Sequence, residues 1–478
     1  MRSALLLLLV ALPAFAQPDE ALQRAKSKLV EAQVAVDEAI VAQQHRPAPA
    51  PDETAERLET VEADIEELVR VQEVLVKHHT QDRLAWSADY RIAMNNLVFD
   101  RSTGDRVYPN IWNHRLRLGL EGERGPLRLH ARLSVYKNFG EGYEGPVGFD
   151  SRSTRYPRDT ALRIERLYLD WFVHKRVAIT VGRVASPGGP PAELKENTPR
   201  QATWGLQMVE AEFETLLVTF DLSDTLPDTT LRFFYSPFFH HARLDPNNDE
   251  SLFADNGIET TQIWGFLAES KIAGLGDNTL IQLGFVHVPA FRPERMPLPT
   301  PNGPLMPSAL PDSLGQYFMI NTLLEIKGLA KVLDLFVAGS ATLYAPDGAI
   351  EYDLGGQTMA LGLATNGEDE HLAWMLFGGG RYQLPFGEER APKVGLEVNY
   401  GSKHHSSWGS PSETLINKLA TRGLAAEAYW IQPILPGDLF ARVGLIHQSR
   451  TWSGSFVGPA QPAEANLTNL YFLMNATF

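Results

Sequence analysis

From Asp82 to the C-terminus, oily and polar side chains change places at every step along the chain, in one short segment after another. Leu84, Trp86, Ala88, Tyr90, Ile92 and Met94 alternate with Ala85, Ser87, Asp89, Arg91 and Ala93. Leu127, Leu129, Ala131, Leu133 and Val135 alternate with Arg128, His130, Arg132, Ser134 and Tyr136, and Val394, Leu396, Val398 and Tyr400 with Gly395, Glu397, Asn399 and Gly401. Successive side chains of a strand point to opposite faces, so this period demands strands with one oily and one wet face. Sixteen are predicted: 84–99, 111–123, 126–138, 161–174, 176–184, 206–222, 229–240, 258–270, 278–290, 316–327, 331–345, 371–384, 392–402, 422–434, 437–450 and 467–478. The 206–222 stretch alternates least regularly, and 161–174 changes phase near Arg166, which predicts a bulge.

The connections are sorted by length. Those after even-numbered strands are short, such as Arg124-Gly125, Gly328-Leu329 and Pro436. Those after odd-numbered strands are mostly long: 139–160, 185–205, 241–257, 291–315, 346–370, 403–421 and 451–466. A soluble sandwich has no reason to sort its loops this way, whereas a barrel crossing the outer membrane puts turns on one side and loops on the other. In hydrocarbon no water satisfies a free sheet edge, so the first and last strands must pair. The fold class expected is therefore an all-β membrane protein, a 16-stranded antiparallel transmembrane β-barrel. Sixteen strands enclose more space than their own side chains fill, so an aqueous lumen is expected. Trp86, Trp112, Trp171, Trp264, Trp374 and Trp430 stand where interface girdles would place them, or else pack between strands.

The ends of the chain agree with that placement. Arg2, the apolar run Ala4–Leu12 and Ala14-Phe15-Ala16 have the layout of a secretory signal, residues 1–16, cleaved before Gln17. The run is short for a hydrocarbon core of about 30 Å, which argues against a retained anchor. Residues 17–81 read as a periplasmic helical segment, broken at 46–51 (Arg46-Pro47-Ala48-Pro49-Ala50-Pro51) because proline cannot continue a helix. Leu58, Val61, Ile65, Leu68 and Leu75 then take coiled-coil spacing, with Gln72 as the polar exception. A solvated spacer helix and a self-associating one remain equal readings. Residues 82–478 form the barrel. Its last strand places Leu470, Phe472, Met474, Ala476 and the terminal Phe478 on one face, resembling the signal by which the barrel-assembly machinery recognises its clients. The C-terminus then lies in the periplasm. The chain has no cysteine, so disulfides contribute nothing, and a formal charge of −15 argues against a nucleic-acid partner.

Parity assigns the wet face. The first four strands send Arg91, Arg115, Arg117, Arg128, Arg132 and, allowing for the bulge, Arg163 and Arg166 inward, accompanied by Asp89, Glu121, Glu165 and Asp170. Later strands contribute Glu325, Glu397 and Glu427, so a basic wall is expected to face carboxylates. Arginine stays charged and its planar fork pairs with carboxylate or phosphate. Two readings stand: a transverse field that orients and screens polar solutes, or an ion-pair network that stiffens the wall. The loop 185–205 holds Gly188-Gly189-Pro190-Pro191 followed by Glu193, Lys195 and Glu196. By analogy with general porins, whose third loop enters the lumen, Glu193 and Glu196 would face the arginine wall; an ordinary surface loop is the alternative.

Three constellations are set aside. The pairs His78-His79, His240-His241 and His404-His405 are poorly placed for one metal, since neighbours on a strand point apart. Ser406 and Ser407 beside His405 lack a carboxylate partner or a nucleophile turn, so no enzyme is expected. Gly378-Gly379-Gly380 reads as a bend or close packing within a strand.

LAWSADYRI (84–92), NHRLRLGL (113–120), RLYLDW (166–171) with VGR (181–183), GGPPAEL (188–194), LEVNYGSKHHSSWG (396–409) and KLATRG (418–423) with EAYWIQPI (427–434) resemble a largely uncharacterised family of bacterial outer-membrane porins with an N-terminal periplasmic coiled coil. The resemblance implies fold and location more than solute. The function expected is a water-filled channel for passive diffusion of small polar or charged solutes, without cofactor or metal. The partners expected are outer-membrane lipid and lipopolysaccharide, the assembly machinery and two further copies in a trimer. A structural anchor, tethering the barrel through its helical segment to peptidoglycan, is the competing expectation.

Overall fold

The computed structural model describes residues 82–101, 104–139, 160–209, 211–240, 260–292, 298–300, 303–365, 367, 370–407, 416–454 and 457–478. The expectations for the signal peptide and the helical segment fall outside these residues.

Sixteen strands pair antiparallel, each with its neighbours in sequence, and close into one barrel. They are β1 (Asp82–Arg101), β2 (Arg106–Arg124), β3 (Leu127–Phe139), β4 (Thr160–His174), β5 (Val177–Ala185), β6 (Glu212–Asp221), β7 (Thr229–His240) and β8 (Thr260–Ile272). The second half comprises β9 (Asn278–Val288), β10 (Gly315–Leu329), β11 (Leu333–Pro346), β12 (His371–Gln383), β13 (Lys393–Gly401), β14 (Gly423–Leu435), β15 (Leu439–Ser453) and β16 (Gln461–Thr477). Closure is made by β1 against β16, in register from Asp89 opposite Thr477 to Arg101 opposite Ala465. The terminal Phe478 extends this seam, its N–H donating to the Ala88 carbonyl at 2.8 Å. Among the described residues the barrel sheet therefore has no first or last strand left unpaired, which is the condition for a sheet to stand in hydrocarbon.

The alternation has the expected sense. On β16, Leu470, Phe472 and Met474 turn outward while Asn469, Tyr471, Leu473 and Asn475 are buried inside. All six tryptophans named above are exposed on the outer surface. By strand direction, Trp86, Trp171 and Trp430 lie toward the end that carries the short turns, and Trp112, Trp264 and Trp374 toward the opposite end. Two aromatic rings thus bound an apolar band. Both β1 and β16 have their terminal ends at the turn side.

The bulge lies on β4. Arg132 stands opposite Arg166 and Leu133 opposite Ile164, so Glu165 is the extra residue and both Glu165 and Arg166 turn inward. Close packing accounts for the glycines of β12, since a Cβ on Gly379 would lie 2.5 Å from the Leu396 carbonyl oxygen. Several boundaries differ from the periodicity. Residues 206–209 and 211 are not strand, because Met208 and Val209 are buried in an interior cluster instead of joining a ladder. β10 runs through Leu329, and the turn after it uses Ala330 and Lys331 at φ 49 and 65. β16 begins at Gln461, so the connection before it is shorter than expected.

The interior also departs from an open water-filled tube. Beneath β6–β12, Leu217, Phe234, Leu267, Val286, Tyr317 and Tyr344 pack with Trp204, Met208 and Val209 of the 186–211 connection, and with Phe291, Leu314, Ile350 and Tyr352 of two others. A second cluster packs Ile416 against Tyr429, Phe440 and Tyr471. Long connections fold inward and bury their apolar side chains on the wall, doing what strand side chains alone are too short to do.

A charged loop inside the barrel

The connection 186–211 leaves β5, crosses the interior and returns to β6. Ser186 closes its neck: the Ser186 N–H donates to the Ala211 carbonyl at 3.0 Å, and the Ala211 N–H donates to Ser186 Oγ at 2.8 Å. Gly188 takes φ 80, a left-handed value that glycine tolerates, and a Cβ on Gly189 would lie 1.7 Å from the Trp204 carbonyl oxygen. These glycines let the two arms of the loop touch. The sharp reversal leads into one helical turn, α1 (Ala192–Glu196), ended by Asn197 in the left-handed region.

Every residue of α1 is buried. Glu196 joins Arg91 of β1 and Arg442 of β15, the latter at 3.0 Å. Lys195 reaches Glu427 of β14 at 3.1 Å, and Glu193 accepts from Lys327 of β10 at 2.6 Å. The last carbonyls of a helix lack partners of their own kind. Here Arg381 of β12 donates to the Leu194 carbonyl at 2.7 Å and Arg442 to the Lys195 carbonyl at 2.6 Å. Farther along, Arg200 makes a two-pronged pair with Glu269 of β8, both bonds at 3.0 Å. Burial alone would raise the Glu196 carboxyl; Arg442 and then Arg91 overcome it and hold the group well below the usual carboxylate range.

A second connection enters beside it. Lys418, in a short turn at Lys418–Ala420, contacts both Glu397 of β13 and Glu427. Glu427 also accepts from the Tyr471 hydroxyl at 2.7 Å, so two loops and the wall meet on one carboxylate. His405 ties this connection down, its Nε2 at 2.7 Å from the Leu419 carbonyl, while the Arg422 Nε–H donates to the His405 carbonyl at 2.7 Å. Burial pushes the His405 imidazole down to about 4.

The arginines of the first strands form their own assembly. Glu165 accepts from Arg117 Nε and Nη2 at 2.8 and 2.7 Å, from Arg132 Nη2 at 2.8 Å and from Ser134 Oγ. Arg115 pairs with Asp89. Arg132 also donates to Gln201 of the inserted loop at 3.0 Å.

Set against the sequence reading, Arg91, Arg115, Arg117, Arg132 and Arg166 gather on one wall, with Glu196 brought to Arg91. Glu193 does not face that wall; it stands beside Glu325 at Lys327, because the helical turn sends its ends to opposite sides. Glu397 and Glu427 meet Lys418 and Lys195 rather than arginines of the first strands, since the loops interpose their own cations. Arg128 is exposed over the Phe172 ring, 4.8 Å away, and Asp170 lies 3.3 Å from His130. The side chain of Arg163 lies outside the described ones. Phe472 faces outward, and Phe478 is exposed at the seam. Arg381 and Arg442 were missed although strand parity points both inward; Lys418 and Arg200 sit in connections where no period exists to find them. Among the described residues no cluster has the make-up of a metal site.

A family model described as a protein of unknown function (DUF3373) matches residues 105–280 and 308–474. No curated protein matches the chain. Of solved structures, Pseudomonas putida OprB at high pH is similar at 11% identity and a TM-score of 0.47, over 86% of this chain and 96% of OprB. A loop L8 deletion mutant of Vibrio cholerae OmpT is similar at 7% identity and a TM-score of 0.43, over 83% of this chain and 99% of that one. Salmonella typhi OmpF in complex with daunomycin is similar at 10% identity and a TM-score of 0.42, over 83% and 98%. The barrel itself is read from its strand pairing, independently of these likenesses.

Proposed function

Because the chain belongs to this family of unknown function, we propose its role from its own residues: an outer-membrane channel for small polar or charged solutes, narrowed from within by the 186–211 loop. The observation that carries it is a closed sheet whose outer face is an apolar band between two tryptophan rings, around an interior crossed by paired charges of both signs. A soluble barrel has no use for an oily exterior, and a purely structural plug has no use for so many buried ions when apolar packing is as stable. In this reading the turn end faces the periplasm, lipid and lipopolysaccharide surround the band, and the aromatic end of β16 engages the assembly machinery. Association into a trimer completes the proposal, with passage by diffusion and no catalysis.

Refolded protein in planar bilayers should give discrete conductance steps, and liposomes containing it should swell in small sugars. A folded, inserted barrel that passes no ion at any voltage would refute the channel.

A further inference from the structure

We infer that Arg166, turned inward by the bulge on β4, is the binding group of a subsite for small oxyanions in the wall of the barrel; the inference deepens the channel reading and rests on it. The bulge puts Glu165 and Arg166 on the same face in succession, and sets Arg166 directly across from Arg132. Glu165 is already saturated. A carboxylate offers about four lone-pair positions, and Arg117 fills two, Arg132 a third and Ser134 a fourth. Arg132 spends its other terminal nitrogen on Gln201.

Arg166 is left over. Its Nε and Nη2 atoms are enclosed, and neither has a hydrogen-bond partner among the described residues. Three guanidiniums therefore surround Glu165, and Glu121, the other carboxylate acting on Arg166, is mostly exposed and bonds to neither of the two idle nitrogens. A guanidinium does not relieve this by losing its proton. An enclosed, unpartnered charge is costly, and a wall built only for stiffness would replace it with an apolar side chain. The two idle nitrogens are also the informative ones. Nε and Nη2 form one edge of the guanidinium, the edge that grips both oxygens of a carboxylate or two of a phosphate. One inward step toward the turn end, Tyr168 stacks on His130 with ring centroids 4.6 Å apart. Tyr168 separates Arg166 from Asp170 along β4, and the Asp170 carboxylate lies 3.3 Å from His130 Nε2, with Glu121 3.7 Å from its Nδ1. The chemistry is thus a two-oxygen anion seated side-on against Arg166.

The test uses the full chain, refolded in detergent, with succinate, inorganic phosphate and uncharged succinamide as titrants at fixed ionic strength. Wild type should bind succinate or phosphate and ignore succinamide, the better anion telling which headgroup the site takes. Arg166→Gln should weaken that binding by roughly tenfold or more, and Arg166→Lys, which keeps the charge but loses the fork, by less. In bilayers, Arg166→Gln should shift the reversal potential in a salt gradient toward cation preference. Since it removes an unpaired charge, Arg166→Gln should melt no lower than wild type in heat-dependent gel mobility. Equal binding in wild type and Arg166→Gln, or a lower melt with binding unchanged, would overturn the subsite and mark Arg166 as a wall element. A barrel that binds succinate through Arg166 yet conducts nothing would instead sink the channel reading and leave the subsite standing.

Discussion

Replacing Glu196 with glutamine tests what holds the loop tip across the barrel. Glu196 is the anion shared by Arg91 and Arg442, and Arg442 is fully buried. Glutamine keeps the shape and one acceptor oxygen but removes the charge, leaving two guanidiniums against a neutral amide. Breaking a buried pair by deleting one partner costs about 3–5 kcal/mol. Part of that is retained, because the Leu194 and Lys195 carbonyls still accept from Arg381 and Arg442 at 2.7 and 2.6 Å. A net loss of about 2–3 kcal/mol follows, taking back about one charged hydrogen bond. That raises the ratio of released to seated tip by roughly 30- to 150-fold. In single-channel recordings Glu196→Gln should flicker to larger currents that wild type visits rarely, and the reversal potential should move toward anions. Identical current, noise and selectivity in the two proteins would show that this carboxylate does not seat the tip.

Lys418→Met takes the lysine from between Glu397 and Glu427, leaving Glu427 with Lys195 and the Tyr471 hydroxyl; the folded band on gels should be lost at lower temperature by about 3 kcal/mol equivalent, and Lys418→Met with Glu397→Gln should recover part of it. The fold holds His405 neutral, its value depressed from 6.5 to about 4. Its contribution is complete above pH 6.5 and falls as pH drops from 6.5 toward 4, by on the order of 3 kcal/mol at most; the melting temperature should fall in that window and His405→Gln should flatten the fall. Deleting residues 17–80 should leave conductance steps unchanged in planar bilayers, whereas a protein whose purpose is tethering would keep no measurable role.

The parts legible in advance share one cause. A period of two survives wherever one face meets oil and the other does not, so the strands, the phase change at Arg166 and the closing pair β1 and β16 could be read from residue order. The six tryptophans on the outer surface obey the same rule. Connections carry no such period. Nothing in Trp204, Met208 or Ile416 says that it turns inward, so the packed interior was invisible and an open lumen was expected instead. Glu193 and Glu196 show the boundary within one helical turn: entry of the loop was foreseeable by analogy, but which carboxylate meets which wall depends on how the turn is rotated. Lys418 illustrates the remainder, a residue whose partners come from two strands and whose position no local pattern marks.

The sequence contains no cysteine, so single spin labels can be placed along β16 one position at a time in refolded protein in lipid. Collision with oxygen dissolved in the bilayer should be high at Leu470, Phe472 and Met474 and low at Asn469, Tyr471 and Leu473, repeating every second residue. A profile without that alternation, or with water-soluble relaxant reaching the first set, would contradict a sheet that faces lipid on one side and a charged, loop-filled interior on the other.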